Sequence, residues 1–213
     1  MSCPICEKRR PERYCPSRGE KICAICCGKG REVTIDCPSD CSHLLSARRY
    51  EVEHRKPLAS EKIPFPGVEL SLDVIRRNQA ALAGISLAIL KSAQENPALR
   101  DSETLTALAA LAETSRTLES GIYFERPPDA PLPRALYVQL VRFLDEFKKQ
   151  EAQQAGFSQL KNSEIFRLIV FLLRIGRRES NGKPRSRAFL DFLGAQFPAA
   201  PETQTAAPRI IVP

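Results

Sequence analysis

The sequence lacks the motifs that assign most enzyme classes. It contains no tryptophan and two histidines, His43 and His54, and neither histidine lies in a nucleophile or metalloprotease motif. It also contains no Walker loop and no dinucleotide-binding fingerprint, and we expect Gly28-Lys29-Gly30 to form the turn after Cys27. The sequence therefore predicts a protein that is not an enzyme.

Long apolar runs are missing as well. The longest candidate, residues 165–175, is interrupted by Arg167 and Arg174, whereas a membrane span needs about 18 consecutive apolar residues. The first residues, Met-Ser-Cys-Pro, are followed by charges and not by the apolar core of a secretory signal. These absences predict a cytoplasmic protein with no membrane partner.

Cysteine is concentrated in one short region and absent from the remainder of the chain. All eight cysteines lie between Cys3 and Cys41. A reducing compartment disfavours disulfides, so cysteines at C-x-x-C spacing are expected to bind metal or to act in redox chemistry. Metal is favoured because eight cysteines are too many for one redox couple. A segment of this size also needs metal or disulfides to fold, because it cannot bury a sufficient apolar core.

Two C-x-x-C pairs, separated by 16 residues, have the spacing of a four-cysteine zinc site. This first cysteine group consists of Cys3, Cys6, Cys23 and Cys26. A second cysteine group remains, consisting of Cys15, Cys27, Cys37 and Cys41, and His43 is an alternative to Cys27 or Cys41. Because the two groups alternate along the chain, they predict a cross-brace with two Zn²⁺. Eight thiolates for two ions leave no open coordination position, which favours structural over catalytic zinc.

Particular sequence segments resemble known families. With the interleaved cysteines, Arg13-Tyr14-Cys15-Pro16 resembles the HIT-type and MYND-type zinc fingers, which are cross-braced protein-interaction modules, although this chain has Arg18 where those fingers place a further cysteine. The whole chain resembles a group of uncharacterised bacterial zinc-binding proteins. The segments that carry this second resemblance are Cys26-Cys27-Gly28, Arg31-Glu32, Ile35, Cys37-Pro38, Asp40-Cys41, Leu44 and the stretch 182–190. The resemblances imply zinc binding and a protein-interaction role.

Proline positions and helical periodicity divide the chain into four parts. Residues 1–55 are predicted to form the zinc-binding module, with a short helix at 43–50. Prolines at 57, 64 and 66 predict a linker over residues 56–67, because proline removes a backbone donor and biases its predecessor away from helix. Residues 68–197 are predicted to form a helical domain, and the Ala/Pro/Thr-rich residues 198–213 a disordered tail.

Apolar spacing within the helical domain predicts about five helices. They are expected at residues 71–95, 101–121, 134–155, 163–178 and 186–197. The fourth is so apolar that it should be central, and Gly156 should end the third in a left-handed conformation. The predicted fold is a small two-zinc cross-brace finger followed by an all-α bundle.

The formal net charge of +7 raises the question of a nucleic-acid partner. The best phosphate-binding candidates form a basic stretch, consisting of Arg174, Arg177, Arg178, Lys183, Arg185 and Arg187. Cations at the end of a helix also complement its dipole, and this stretch contains no aromatic residue that could stack on a base. These observations favour a solvated turn over a phosphate-binding site.

Three functions are compatible with these patterns. The first is a zinc-binding adaptor or regulatory protein whose protein partner the sequence does not identify. The second is a nucleic-acid-associated protein that uses the basic stretch 174–187. The third is a redox sensor, in which oxidation of a zinc-bound thiolate releases the metal.

Overall fold

The structure is a computed structural model that describes residues 2–55, 63–119, 121, 124–157 and 160–197. These residues form eight α-helices and one two-stranded antiparallel sheet, so the protein is mostly helical. In the part of the chain that the structure describes, no helix has the length and apolarity that a membrane crossing requires.

The N-terminal module contains a hairpin and two helices. Strand β1 (Arg13–Cys15) pairs with β2 (Glu20–Ile22), and Gly19 occupies the connecting turn with φ 67°. Helix α1 (Ala24–Gly30) follows directly, and α2 (Ser42–Glu53) extends the short helix expected at residues 43–50. The prediction that residues 28–30 form a turn is wrong, because they form the last part of α1. The Cys23 sulfur accepts the Cys26 N–H and thereby caps this helix.

Six further helices follow. They are α3 (Leu72–Arg77), α4 (Gln79–Glu95), α5 (Asp101–Glu119), α6 (Pro131–Ala155), α7 (Asn162–Glu179) and α8 (Ala188–Gln196). The single helix predicted over residues 71–95 is divided at Asn78, whose side-chain N–H donates to the Val74 carbonyl and competes with the helical backbone. The other four predicted helices correspond to α5–α8. Gly156 ends α6 with φ 80°, which confirms its predicted left-handed conformation.

Helix α7 is central, as its apolar sequence predicts. Leu168, Ile169 and Val170 are fully buried, and α7 packs against α5 and α8 while α6 packs against α4 and α5. Gly176 permits the close approach of α7 to α5, because a Cβ atom there would lie 2.5 Å from Leu105 Cδ2. This apolar interior gives the helical domain a core of its own.

The described end of the predicted linker belongs to the helical domain. Phe65 and Val68 pack against its core. The guanidinium of Arg174 donates to the carbonyls of Pro64 and Val68, at 3.0 and 2.9 Å, and to that of Phe65. Residues 56–62 of the linker and the predicted tail, 198–213, lie outside the described residues.

Candidate metal centre

The hairpin and α1 bring the first cysteine group together. Cys3 and Cys6 precede the hairpin, Cys23 directly follows β2, and Cys26 lies in the first turn of α1. Their four sulfur atoms lie within 4.8 Å of one another, and Cys6 Sγ is 3.9 Å from Cys23 Sγ. Tetrahedral zinc with Zn–S bonds of about 2.3 Å requires sulfur atoms roughly 3.8 Å apart. The first group therefore fits one tetrahedral metal ion.

Backbone N–H groups point at these sulfur atoms. The Cys23 N–H donates to Cys3 Sγ at 3.3 Å, and the Cys26 N–H donates to Cys23 Sγ at 3.4 Å. Hydrogen bonds to the charged form of an acid stabilise that form. At Cys3, burial opposes ionisation, but N–H groups including that of Cys23 outweigh it and lower the pKa. The backbone thus favours the thiolates that a metal ion needs.

Two other thiols of the group show opposite pKa shifts. The Lys8 N–H lowers the pKa of Cys6 to about 6 against the effect of burial, with help from the Arg9 N–H. The hydrogen bond to Cys23, together with burial, raises the pKa of Cys26 to about 12. Closely spaced thiolates repel one another and retain a shared proton, which a bound cation replaces. The four thiols could therefore hold one metal ion.

The second cysteine group surrounds one small cavity. The cavity, of about 10 Å³, is lined by Cys15, Cys27, Cys37 and Cys41, with His43 also in its wall. The described residues contain no second set of three or more ligand atoms within 4.8 Å of one another. The structure therefore gathers the predicted second group around a common space without bringing its sulfur atoms to coordination distance. His43, the predicted alternative ligand, lines the same cavity.

Neighbouring cysteines on α1 face different groups. Cys26 belongs to the first cluster of sulfur atoms, whereas Cys27 lines the cavity of the second. Successive residues of an α-helix are rotated by about 100°, so adjacent side chains diverge in this way. Ile22 and Ile35 pack among the cysteines and complete the buried interior of the module.

Glu32, between Cys27 and Cys37, joins the module to the helical domain. It is only 1% exposed and has φ 55°. Its carboxylate accepts hydrogen bonds from Arg48 at 2.8 Å and Asn181 at 2.7 Å, and Lys183 Nζ lies 3.7 Å away. Its backbone carbonyl accepts the Arg185 N–H at 2.9 Å. A buried carboxylate is stable only with such partners.

Further polar contacts connect the same two parts of the chain. They are Arg55–Glu179 at 2.9 Å, Arg100–Asp36 at 2.7 Å, Arg48–Asp191 at 2.5 Å and Ser39–Asp191 at 2.8 Å. Sequence reasoning did not find this interface. Arg31-Glu32 and residues 182–190 both belong to the segments that carry the family resemblance. The resemblance does not predict a contact between the two.

Several side chains of the predicted phosphate-binding stretch form hydrogen bonds or ion pairs within the protein. Arg174 binds the backbone carbonyls of residues 64, 65 and 68, as described above. Lys183 lies 3.4 Å from Glu51 as well as near Glu32, and Arg187 Nη1 donates to the carbonyls of Pro97 and Leu99 at 3.3 and 3.4 Å. These side chains serve intramolecular contacts.

The remaining members of the basic stretch are more exposed. Arg185 Nη1 lies 4.0 Å from Asp36, and Arg178 lies 3.7 Å from Glu179. Arg177 is exposed and forms no ion pair within the described ranges. Three exposed guanidinium groups therefore lie at this surface, and Arg177 is the one without an ion pair to any residue that the structure describes.

Residues 182–190 have a clear structural role. Asp101 is buried at the start of α5, and its carboxylate accepts the Ser186 hydroxyl at 2.7 Å and the N–H groups of Phe189 and Leu190 at 3.2 and 3.3 Å. These bonds satisfy free donors at the N-terminal end of α8. The stretch thus fixes α8 to α5 and presents Lys183 and Arg185 to Glu32.

None of the protein-family models, curated proteins and solved structures compared with the chain matches it. The functional assignment therefore rests on the geometry of the two cysteine groups and of the surfaces around them.

Proposed function

We propose that the chain is a zinc-binding adaptor or regulatory protein, in which the N-terminal module holds two structural Zn²⁺ in a cross-brace and presents a surface to a protein partner. The observation that carries this proposal is the division of all eight cysteines into two groups of four, one clustered and one around a single cavity. Four thiolates fill the coordination shell of a tetrahedral ion, so neither site has a position for a reactive water.

The chemistry of the ligands supports zinc. An all-sulfur tetrahedral set suits Zn²⁺ or an iron–sulfur cluster, whereas Mg²⁺ and Ca²⁺ prefer oxygen. The first group has the sulfur spacing of a single tetrahedral ion. For the second group, we propose that the four sulfur atoms draw together around the ion, with Cys37 as the least buried and most adjustable ligand.

Exposed apolar side chains on the module support the interaction role. Ile5 and Ile25 occupy the third position of the two C-x-x-C turns and are 43% and 45% exposed. Tyr14, Leu45 and Tyr50 are also exposed. Metal ligation, and not burial of these side chains, would hold the module together, which leaves them free for a partner.

The nucleic-acid alternative has less support. Five of its six candidate residues contact carbonyls or carboxylates of the same chain, and Lys183 and Arg185 are positioned next to acids of the module. Phosphate binding would have to compete with those contacts.

Elemental analysis tests the metal sites. Protein purified under reducing, chelator-free conditions should contain two zinc ions and no iron. Cys23→Ser should lose the ion of the first group and Cys37→Ser that of the second, whereas Ser46→Ala, an exposed change on α2, should retain both. A wild type with one ion would reject the second site, and a wild type with none would reject the proposal.

Affinity capture from the native host tests the adaptor role. Ile5→Ser combined with Ile25→Ser should abolish retention of a partner while zinc content stays at the wild-type value. The matched control is Leu72→Ser, an exposed apolar residue on α3 that is 70% accessible. Equal retention by all three proteins would contradict the proposed surface.

A further inference from the structure

We infer that the helical domain completes the second metal site, with Glu32 as the positioning residue. The inference rests on the proposed function, because it takes Cys27 and Cys37 as ligands of one ion. It means that metal binding by the second cysteine group and docking of the module on the helical domain are a single coupled equilibrium, in which each strengthens the other.

The loop between these two cysteines is tightly built. The Gly30 carbonyl accepts the N–H groups of Val33, Thr34 and Ile35 at 3.1, 3.0 and 2.8 Å, and the Glu32 N–H donates to the Ile35 carbonyl at 3.1 Å. A Cβ atom on Gly30 would lie 2.9 Å from Ile35 Cδ1, so the turn is closely packed as well as hydrogen-bonded. The position of Cys37 relative to Cys27 therefore depends on this turn.

Glu32 is held in the turn from outside the module. Its left-handed backbone conformation is uncommon for a residue with a side chain, so its surroundings must maintain it. Three of the groups that contact Glu32 come from the helical domain, namely the Asn181 amide, the Lys183 ammonium and the Arg185 N–H. Without them the buried carboxylate would be left with Arg48 alone, and hydration of Glu32 would open the turn.

The arrangement matches the general role of groups that hold metal ligands in place. Residues that contact metal ligands without binding the ion themselves orient those ligands, and removing such residues typically weakens metal binding by about 10- to 100-fold. Asn181 and Lys183 act through Glu32 and coordinate nothing themselves. By reciprocity, loss of the ion from the second group should loosen the same contacts.

Zinc competition in the full-length protein tests the first direction. Asn181→Ala combined with Lys183→Met should weaken one of the two ions by about 10-fold or more, measured against a chromogenic chelator, and leave the other unchanged. Lys149→Met, which removes an exposed lysine on α6, is the matched control and should change neither ion. Equal weakening of both ions, or no change in either, would overturn the inference.

Amide hydrogen exchange tests the reverse direction. Stripping zinc should accelerate exchange at Arg185, whose N–H donates to Glu32, but not at Phe189 and Leu190, whose N–H groups donate to Asp101 inside the helical domain. Accelerated exchange at all three amides would overturn the inference, because the two parts would then unfold as one.

Zinc content measured on the same samples separates the two proposals. One ion before stripping would reject the proposed second site, and none would reject the whole proposed function. Two ions, with unchanged exchange at Arg185 after their removal, would contradict the coupling alone.

Discussion

The module and the helical domain bury different kinds of side chain. The buried cluster of the module is formed by Cys3, Cys15, Ile22, Cys23, Cys27 and Ile35. The interior of the helical domain is built from leucine, isoleucine, alanine and aromatic residues and contains no cysteine. The comparison shows that apolar burial stabilises the helical domain, whereas the module has little apolar interior and, on the function we propose, depends on metal ligation.

Metal ligation and apolar burial differ in how much free energy they contribute and in what that contribution depends on. A structural zinc site contributes about 10 to 16 kcal/mol of apparent binding free energy in peptides, and this contribution depends on the ion being present. Burial of a leucine or isoleucine side chain contributes roughly 1.5 to 3 kcal/mol and depends on no cofactor. Chelators should therefore affect the module, whereas core substitutions should affect the helical domain.

Zinc removal should have the largest effect. A strong chelator under reducing conditions should unfold the module but leave most of the helical circular-dichroism signal, because α3–α8 lie in the helical domain. Restoring zinc should restore the native spectrum. A helical signal that collapses on chelation would show that the two parts form one cooperative unit, and the comparison would fail.

A core substitution should have the converse effect. Leu168 is fully buried at the centre of α7, so Leu168→Ala should lower the free energy of unfolding of the helical domain by about 2 to 5 kcal/mol. Urea unfolding followed by circular dichroism measures the change, and zinc stoichiometry should be unaltered. Leu72→Ala, at an exposed position, should change stability by less than about 0.5 kcal/mol. Similar losses in both variants would show that the apolar core is not the source of stability.

The smallest effect is expected at the exposed end of the basic stretch. Arg177→Gln combined with Arg178→Gln should change the free energy of unfolding by less than about 0.5 kcal/mol, because both side chains are exposed. Fluorescence anisotropy with duplex DNA, single-stranded DNA and RNA should show wild-type binding no tighter than roughly 10⁻⁴ to 10⁻⁶ M at physiological salt. Nanomolar binding that the double variant loses would favour the nucleic-acid alternative instead.

The parts of the molecule that sequence could predict are those set by local spacing. Two C-x-x-C pairs identify the first cysteine group, because a two-residue turn presents both sulfur atoms to one ion. Apolar periodicity located α5–α8 to within a few residues, and the high apolar content of the fourth predicted helix marked α7 as central. Gly156 was predicted from its position after a periodic segment.

The parts that sequence missed have no periodic signal. Strands of three residues are too short for alternation to be recognised, and Gly28 and Gly30 argue against a helix that Cys23 nevertheless caps. The break at Asn78 arises from one side-chain hydrogen bond. Glu32 and its partners near residue 183 are about 150 positions apart in the chain, and ion pairs at that separation leave no local pattern.

The three carbonyl contacts of Arg174 also determine how long the tether between the two parts is. They fix the chain at residue 64 against α7, so only seven residues, 56–62, separate Arg55 from the first described residue of the next segment. Eight Cα–Cα steps lead from Arg55 to Ile63, and at about 3.6 Å per step these two residues can lie at most roughly 29 Å apart. A short tether sets an effective concentration on the order of millimolar. Connection within one chain therefore favours docking of the two parts over association of the same surfaces on separate polypeptides at micromolar concentration.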